Sequence, residues 1–254
     1  MFKINYFSKI FKKGKKMKKI FVSTIALFVI VFLVGCSDTT SPNEGTVNVV
    51  SEMLNPSVSI VPVKSKLNNE IQANEVDSIK ITSIRILLSE MKLHSTTTDS
   101  TDGKALKTTP FLFHIDTLGN LIQLTSTSIP VGSYEKIKLE FHRFSSSETS
   151  QYATDPVLKD FATSDRYTVI INGTYFKNNL PTDFTYNSKI TANLTFNFVP
   201  SINIEEGATT TISIQVDPTL FFKLNGSILD PTNSKNFSVI ENAIKNSIKA
   251  QKRA

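Results

Sequence analysis

Apolar and polar residues alternate with a period of two along most of the chain after residue 45, as in β-strands with one buried face. The longest such stretch is Phe184–Phe198, where aromatic and aliphatic residues of one parity alternate with Thr, Asn and Lys of the other. Ala208–Val216 and Glu135–Phe144 follow the same pattern. We therefore expect antiparallel sheets with one face in a core and the other in water.

The alternation changes phase twice within Ile79–Leu93, after Ile81 and again after Leu88. Such changes predict β-bulges or a bend within one long strand. A helix over Ile84–Leu93 is the competing interpretation of the same residues.

Shorter elements are predicted between these strands. Phe111–Asp116 and Leu121–Ser126 flank the turn residues Leu118-Gly119-Asn120, and this arrangement predicts a hairpin. The serine-rich Ser145–Ser150 is predicted to be a loop. Asp155–Phe161, with a proline in its first turn, is predicted to be a short helix.

The tail Asn233–Arg253 shows a helical period instead. One apolar stripe is formed by Phe237, Ile240, Ile244 and Ile248. Ser238 and Glu241 have the spacing of a capping box. We expect this helix to pack on the body's own sheet, and contact with a membrane or a partner is the alternative.

Together these patterns predict an all-β fold, mainly an antiparallel β-sandwich over residues 46–232, with a C-terminal α-helix over 233–254. Residues 146–232 either complete the sandwich begun by residues 46–145 or form a second β unit.

The N-terminal region has a different pattern. Ile20–Val34 is a run of 15 residues broken only by Ser23 and Thr24, and lysines alone supply the charge before it. A membrane-spanning helix needs about 20 apolar residues, whereas a signal peptide uses about 7–15 after a basic segment. We therefore predict a signal peptide over residues 1–35, with Met1 and Met17 as alternative starts.

The end of the apolar run, Leu33-Val34-Gly35-Cys36, resembles the lipobox of bacterial lipoproteins. The resemblance implies cleavage before Cys36, acylation of its thiol, and attachment to a membrane, with Ser37 favouring the outer membrane. Two acyl chains give a stable anchor where one gives only marginal binding. Residues 36–45 are polar and are predicted to be a flexible tether. An uncleaved anchor helix with an incidental cysteine is the alternative.

Removing residues 1–35 changes the charge of the protein. The chain has 28 basic and 22 acidic residues, and eight of the lysines lie before Cys36. The remaining 219 residues carry 20 basic against 22 acidic side chains. Without a basic stripe in this part, we predict no nucleic-acid partner.

A second resemblance covers residues 46–145, less than half of the mature chain. It rests on a β-strand ending in a histidine, a Phe-x-Phe-x-Ile-Asp segment and a Pro-x-Gly-Ser-Tyr turn. The residues concerned are Ile84, His94, Phe113, Asp116, Pro130, Gly132, Tyr134, Ile137 and Leu139. This order resembles an uncharacterised family of bacterial lipoprotein domains with a prealbumin-like (transthyretin-like) β-sandwich. The resemblance implies a fold and an envelope location, and it implies no activity.

Candidate chemistry is sparse. His94, His114 and His142 could hold a metal only if their strands were adjacent, and we predict separate surface imidazoles with no metal site and no cofactor. The sequence contains none of the common hydrolase signatures, and no carboxylate pair can be nominated. We expect no enzyme activity and no catalytic residue.

We therefore expect a non-catalytic binding module in the cell envelope, using loops 95–109 and 145–164 to hold a protein or a glycan of unknown identity. It could face the periplasm or the cell surface. A structural or assembly partner within the envelope is the alternative, and an unrecognised hydrolase is a further one.

Overall fold

The computed structural model describes residues 43–55, 59–61, 75–96, 103–115 and 117–253. They belong to a compact unit that spans Pro42–Ala254. The predicted lipidation site Cys36, its signal peptide and the tether up to residue 42 lie outside the described residues. The first strand begins at Glu44, so residues 44 and 45 of the predicted tether belong to β1.

Fourteen β-strands are described, and nearly all their pairings are antiparallel. They are β1 (Glu44–Met53), β2 (Ser59–Ile60), β3 (Ser78–Ser95), β4 (Lys104–Lys107), β5 (Phe111–Ile115), β6 (Ile122–Pro130), β7 (Gly132–Phe141), β8 (Val169–Lys177), β9 (Leu180–Ser188), β10 (Ala192–Ile204), β11 (Thr209–Val216), β12 (Lys223–Leu224), β13 (Ser227–Ile228) and β14 (Ile248–Lys252). Two α-helices, α1 (Ser146–Tyr152) and α2 (Phe237–Ser247), and two 3-10 turns, Pro218–Leu220 and Ser234–Asn236, complete the described elements.

Two sheets form the layers of a sandwich, as predicted. The four-stranded sheet has the order β14-β11-β1-β6, and its β1–β11 pair is parallel. The eight-stranded sheet is built on β3. Strands from residues 46–145 and from residues 146–232 pair with each other in both sheets, as in β1–β11 and β3–β8.

β3 is long enough to pair with several strands, one after another along its length. Ile84 pairs with both β5 and β8, and Leu88 pairs with both β5 and β7, so β8 and β7 lie in line on one side of β3. β9 and β10 then pair with β8 and β7 respectively. The predicted strand Phe184–Phe198 is therefore two strands in line, interrupted at residues 189–191.

The phase changes predicted in Ile79–Leu93 are confirmed as irregularities in β3. Its register shifts between Ile81 and Ser83 against β8, and between Leu88 and Glu90 against β7. Each shift keeps the apolar side chains on the core face. The helical alternative for Ile84–Leu93 is wrong.

One core fills the space between the two sheets. Val47 and Val49 of β1 and Ile212 and Ile214 of β11 are fully buried there, together with the apolar face of β3. Phe221 and Phe222 add two more rings that are 0% exposed.

A smaller cluster lies on the opposite face of the eight-stranded sheet. Leu87 and Ile170 point away from the main core and pack under Phe144, Leu158 and Phe161. The segment between β7 and β8 therefore covers part of that outer face.

Three local predictions are wrong. β5 and β6 do not form a hairpin, because β5 pairs with β3 in one sheet and β6 pairs with β1 in the other. Residues 145–150 are not a loop: Ser145 caps α1 in a capping box with Glu148. The predicted helix Asp155–Phe161 is a series of turns.

The predicted C-terminal helix exists but is shorter. α2 ends at Ser247, and the following residues form β14, which pairs antiparallel with β11 from Val216↔Ile248 to Ile212↔Lys252. Ile240 and Ile244 are fully buried in the core, so α2 packs on the body as expected.

Candidate binding site

The outer face of the four-stranded sheet carries a depression of about 650 Å³, which we call the basin. Its floor is formed by Asn48 and Val50 of β1 and by Thr209 and Thr211 of β11. Gln123 and Leu121 line one side, and Asn203, Glu205, Lys252 and Arg253 line the other. A volume of this order is within the usual range for small-molecule sites.

Strand parity places these side chains. In β1 the odd-numbered residues from Gly45 to Met53 are buried, so Asn48 and Val50 face outwards. In β11 Ile212 and Ile214 face the core, which turns Thr209 and Thr211 outwards. The floor of the basin is thus the outward face of β1 and β11, and the inward face of the same strands contributes apolar residues to the core.

The polar side chains of the basin have unused hydrogen-bonding groups. Within the described part of the chain, no hydrogen bond is made by the side chains of Asn48, Gln123, Asn203, Thr209 or Thr211. Amides and hydroxyls both donate and accept. These residues can therefore bind a polar ligand without first breaking bonds within the protein.

A hydrogen-bonded cluster centred on Glu52 borders the basin. Glu52 Oε2 accepts from the Ser213 hydroxyl at 2.6 Å and from Gln215 Nε2 at 3.1 Å. The Arg253 guanidinium lies 3.6 Å from the same oxygen. The bonds from Ser213 and Gln215, with a smaller contribution from Arg253, lower the pKa of Glu52 despite its partial burial. Glu52 therefore stays ionised at neutral pH.

Arg253 is held in place by its main chain. Its N–H donates to the carbonyl of Thr211 at 2.9 Å, directly after β14. Its Nη1 atom is shielded from solvent and makes no hydrogen bond among the described residues. The basin is thus lined by a cation that its main chain and the Glu52 carboxylate hold in place.

Part of the outer face of the eight-stranded sheet is occupied by contacts within the chain. Arg85 pairs with Asp160 at 2.6 Å, and Lys189 pairs with Asp165 at 3.0 Å, so both join the sheet to the covering segment. This segment contains most of loop 145–164, which was predicted to bind a ligand. Most of its apolar residues pack on the sheet, and Val157 is exposed. Most of the other predicted loop, 95–109, is either strand or outside the described residues.

The three histidines lie apart. His114 is exposed on β5, and His142 bonds Glu148 of α1 at 2.8 Å. Burial of Glu148 is outweighed by hydrogen bonds from Ser145 and His142, which lower its pKa. Among the residues described, no group of three His, Cys, Asp or Glu side chains has the arrangement of a metal site.

His94 is the histidine with unusual surroundings. It is 7% exposed, and its Nε2 atom makes no hydrogen bond within the described ranges. Gly103 lies against the ring so closely that a Cβ there would come within 2.7 Å of Nε2. Burial, followed by the nearby Lys138, Lys136 and Lys92, lowers the pKa of His94. The imidazole is neutral at pH 7.

Sequence reasoning missed the basin. It assigned Lys252 and Arg253 to the end of a helix, whereas both follow the edge strand β14 and line the depression. The available signal was the polar parity of β1 and β11, since Asn48, Thr209 and Thr211 could be assigned to one outer face. The adjacency of β1 and β11 could not be predicted, because over 150 residues separate them.

Comparison with known proteins gives little further information. No family model matches the chain, and no curated protein matches it. Among solved structures, MbnP from Methylosinus trichosporium is similar with a TM-score of 0.35 and 11% sequence identity, over 83% of this chain and 99% of that one. The resemblance to a prealbumin-like family stays a prediction. No described helix is long and apolar enough to cross a membrane.

Proposed function

We propose that this protein is an acylated lipoprotein of the cell envelope whose β-sandwich is a non-catalytic binding module. The binding surface in this proposal is the basin. The observation that carries it is the contrast between the two outer faces. On one face the covering segment is joined to the sheet by the Arg85–Asp160 and Lys189–Asp165 pairs. The other face has a depression whose Asn, Gln and Thr side chains make no hydrogen bond among the described residues.

The lipoprotein part of the proposal is supported by the sequence around Cys36. The order of basic segment, apolar run and Leu-x-Gly-Cys matches a lipoprotein signal. The short distance from Cys36 to the first described residue, Asn43, is consistent with a body held near a membrane. Seven residues span at most about 25 Å when extended.

The anchor is tested with wild type and Cys36→Ala expressed in a bacterial host. We expect the wild type to partition into the detergent phase and to have the mass of a chain that begins at a lipid-modified Cys36. Cys36→Ala should remain uncleaved and lack the lipid mass. If both proteins keep residues 20–35 and partition alike, the anchor proposal is wrong.

The binding module is tested with the full chain, purified in detergent, on an array of glycans and peptides. We compare wild type with a basin variant that combines Asn48→Ala, Gln123→Ala and Thr211→Ala. A matched control combines Asn193→Ala, Thr195→Ala and Asn197→Ala, which are exposed on β10 of the other sheet.

We expect wild type and the control to bind the same ligands and the basin variant to lose them at unchanged thermal stability. Array signals that survive in the basin variant would place the binding surface elsewhere. No signal for wild type on any ligand would contradict a binding role for these classes.

A further inference from the structure

The side chain of Arg253 is the starting point for identifying the ligand class. Its side chain is 36% exposed overall, yet Nη1 is shielded from solvent without a hydrogen bond in the described chain. Nη1 is the atom closest to the Glu52 carboxylate. Because Arg253 lines the basin and its side chain is partly exposed, a ligand in the basin can contact the rest of the side chain.

The nearby Glu52 does not satisfy that donor. Its Oε2 atom is 3.6 Å from Nη1, too far for a hydrogen bond, and it already accepts from Ser213 and Gln215. The guanidinium is thus oriented by Glu52 and retains donors for another anion. Arginine binds carboxylates particularly well, because its planar fork can donate two parallel bonds.

The two adjacent cations favour an anionic group at this position, although Glu52 offsets part of the charge of Arg253. Lys252 and Arg253 are adjacent at the rim, and Glu205 is the one carboxylate among the described lining residues. Lys252 is exposed at the end of β14. Its flexible side chain can adjust its position to contact a bound carboxylate. A carboxylate is therefore expected beside Arg253, with Lys252 as its second cation.

The rest of the basin is suited to hydroxyl groups. Asn48, Gln123 and Thr211 carry donors and acceptors without partners in the described chain, and a ligand hydroxyl can do both as well. Val50 and the 46% exposed Leu121 add a small apolar surface beside them. A sugar ring combines these properties, with hydroxyls at its edge and C–H groups on its faces.

We infer that the basin binds an acidic saccharide, with Arg253 and Lys252 on the carboxylate and the Asn, Gln and Thr side chains on the hydroxyls. This inference rests on the proposed binding function and names its ligand class. A peptide carboxylate would use the two cations but would leave most of the hydroxyl-binding groups unpaired.

The test is a calorimetric titration of the full chain in detergent with three small probes. Methyl β-D-glucuronide carries both the carboxylate and the hydroxyls. Methyl β-D-glucoside lacks the carboxylate, and cyclohexanecarboxylate lacks the hydroxyls. We expect the glucuronide to bind about tenfold or more tightly than either of the others, the factor of one charge-assisted hydrogen bond.

Variants of the two cations test which residues bind the carboxylate of the glucuronide. Arg253→Gln and Lys252→Gln should each weaken glucuronide binding, Arg253→Gln by about tenfold, and should leave glucoside binding unchanged. Lys138→Gln, an exposed cation on the other sheet, is the matched control. Because Arg253→Gln could also loosen the Glu52 cluster, its thermal unfolding is measured, and Lys252→Gln gives an independent result.

The inference is overturned if the glucuronide fails to bind, if it binds no tighter than the glucoside, or if both rim variants bind it as wild type does. The proposed function can fail separately. If the glucuronide fails to bind while other ligands are lost in the Asn48, Gln123 and Thr211 variant, the binding module is supported and an acidic saccharide is excluded. Conversely, glucuronide binding by a protein that is not acylated would support the inference and reject the anchor.

Discussion

The Ser213 hydroxyl donates a 2.6 Å hydrogen bond to Glu52 and so joins the side chains of the parallel strands β1 and β11. Gln215, two residues along β11, donates to the same oxygen. Ser213 and Gln215 are both buried although they lie on the outer face of the sheet. The cluster therefore links the N-terminal strand to a distant segment through one carboxylate.

This cluster should make stability depend on acid pH. Hydrogen bonds from Ser213 and Gln215 lower the pKa of Glu52 in the folded state below its unfolded value. Its contribution is complete above the unfolded pKa, about 4.3, and is lost as the pH falls through the lower folded pKa. We expect Glu52→Gln to reduce the loss of stability below about pH 4.3, measured by urea unfolding at several pH values.

At pH 7 the same variant should be less stable than wild type by about 1–3 kcal/mol, since hydrogen bonds to an ionised group are lost. Glu206→Gln, an exposed carboxylate in the β10–β11 turn, is the control and should change neither value. A pH profile of Glu52→Gln parallel to that of wild type would show that the cluster does not contribute.

His94 and Gly103 make a second testable pair. The folded state holds the His94 imidazole neutral because burial and three lysines lower its pKa. Stability from this source is present above the unfolded pKa of about 6.5 and is lost as the pH falls toward the folded value. Replacing His94 with Gln should therefore flatten the stability profile below about pH 6.5.

Gly103→Ala tests the contact itself. Its Cβ would lie 2.7 Å from His94 Nε2, so the buried ring must shift. We expect a loss of about 1–3 kcal/mol, as for overpacking in a filled core. In a His94→Ala background the same change should cost much less, which a double-mutant cycle would measure. Additive losses would mean that the ring and the glycine are not in contact.

Phe222 is predicted to be essential to the core. Its ring is fully buried and meets Phe184 and Tyr186 edge to face, with centroids 5.7 and 5.8 Å away. Phe222→Ala should cost about 3–5 kcal/mol, from lost burial and the remaining cavity. Leu220→Ala is the control in the same segment, because that side chain is 46% exposed. Equal melting temperatures for the two variants would contradict this packing.

The C-terminal strand should be needed for stability. Truncation after Ser247 removes β14, the Ile248 side chain that is 4% exposed, and the main-chain partners of Ile212–Val216. We expect a lower melting temperature and faster amide exchange in β11. The double variant Lys252→Gln, Arg253→Gln keeps the strand and should keep the slow exchange. Unchanged exchange in the truncated chain would show that β14 is not paired.

Strand faces could be predicted from the sequence, because burial of one face imposes a strict parity. Phe184 and Tyr186 are buried and Thr185 between them is exposed, as their alternation indicated. The phase changes in β3 were also predictable, since apolar residues must return to the core after each bulge.

Sheet partners could not be predicted in the same way. The turn residues Leu118-Gly119-Asn120 indicate that the chain reverses, but they do not determine whether β6 pairs with β5 or crosses to the other sheet. Long-range pairing decides this, and β6 lies against β1 instead. The hairpin prediction failed for that reason.

The C-terminal tail shows how one residue can fit two patterns. Ile248 continues the spacing of Ile240 and Ile244, which predicts a helix, and it is buried as that stripe implied. It is buried as the first residue of a strand, however, because an open edge of β11 is available to it. Because β14 was not predicted, Arg253 could not be recognised as a residue of the basin.

The parallel pairing of β1 with β11 has a consequence for the order of folding. Thr46 meets Thr209 and Met53 meets Val216, so β1 pairs with a strand 163 positions later in the chain. Contacts so distant in sequence slow folding, because a long loop must close before they form. The four-stranded sheet, and the basin on it, can therefore assemble only after β11 has been made. A chain exported before that point would travel unfolded and complete this layer on the far side of the membrane.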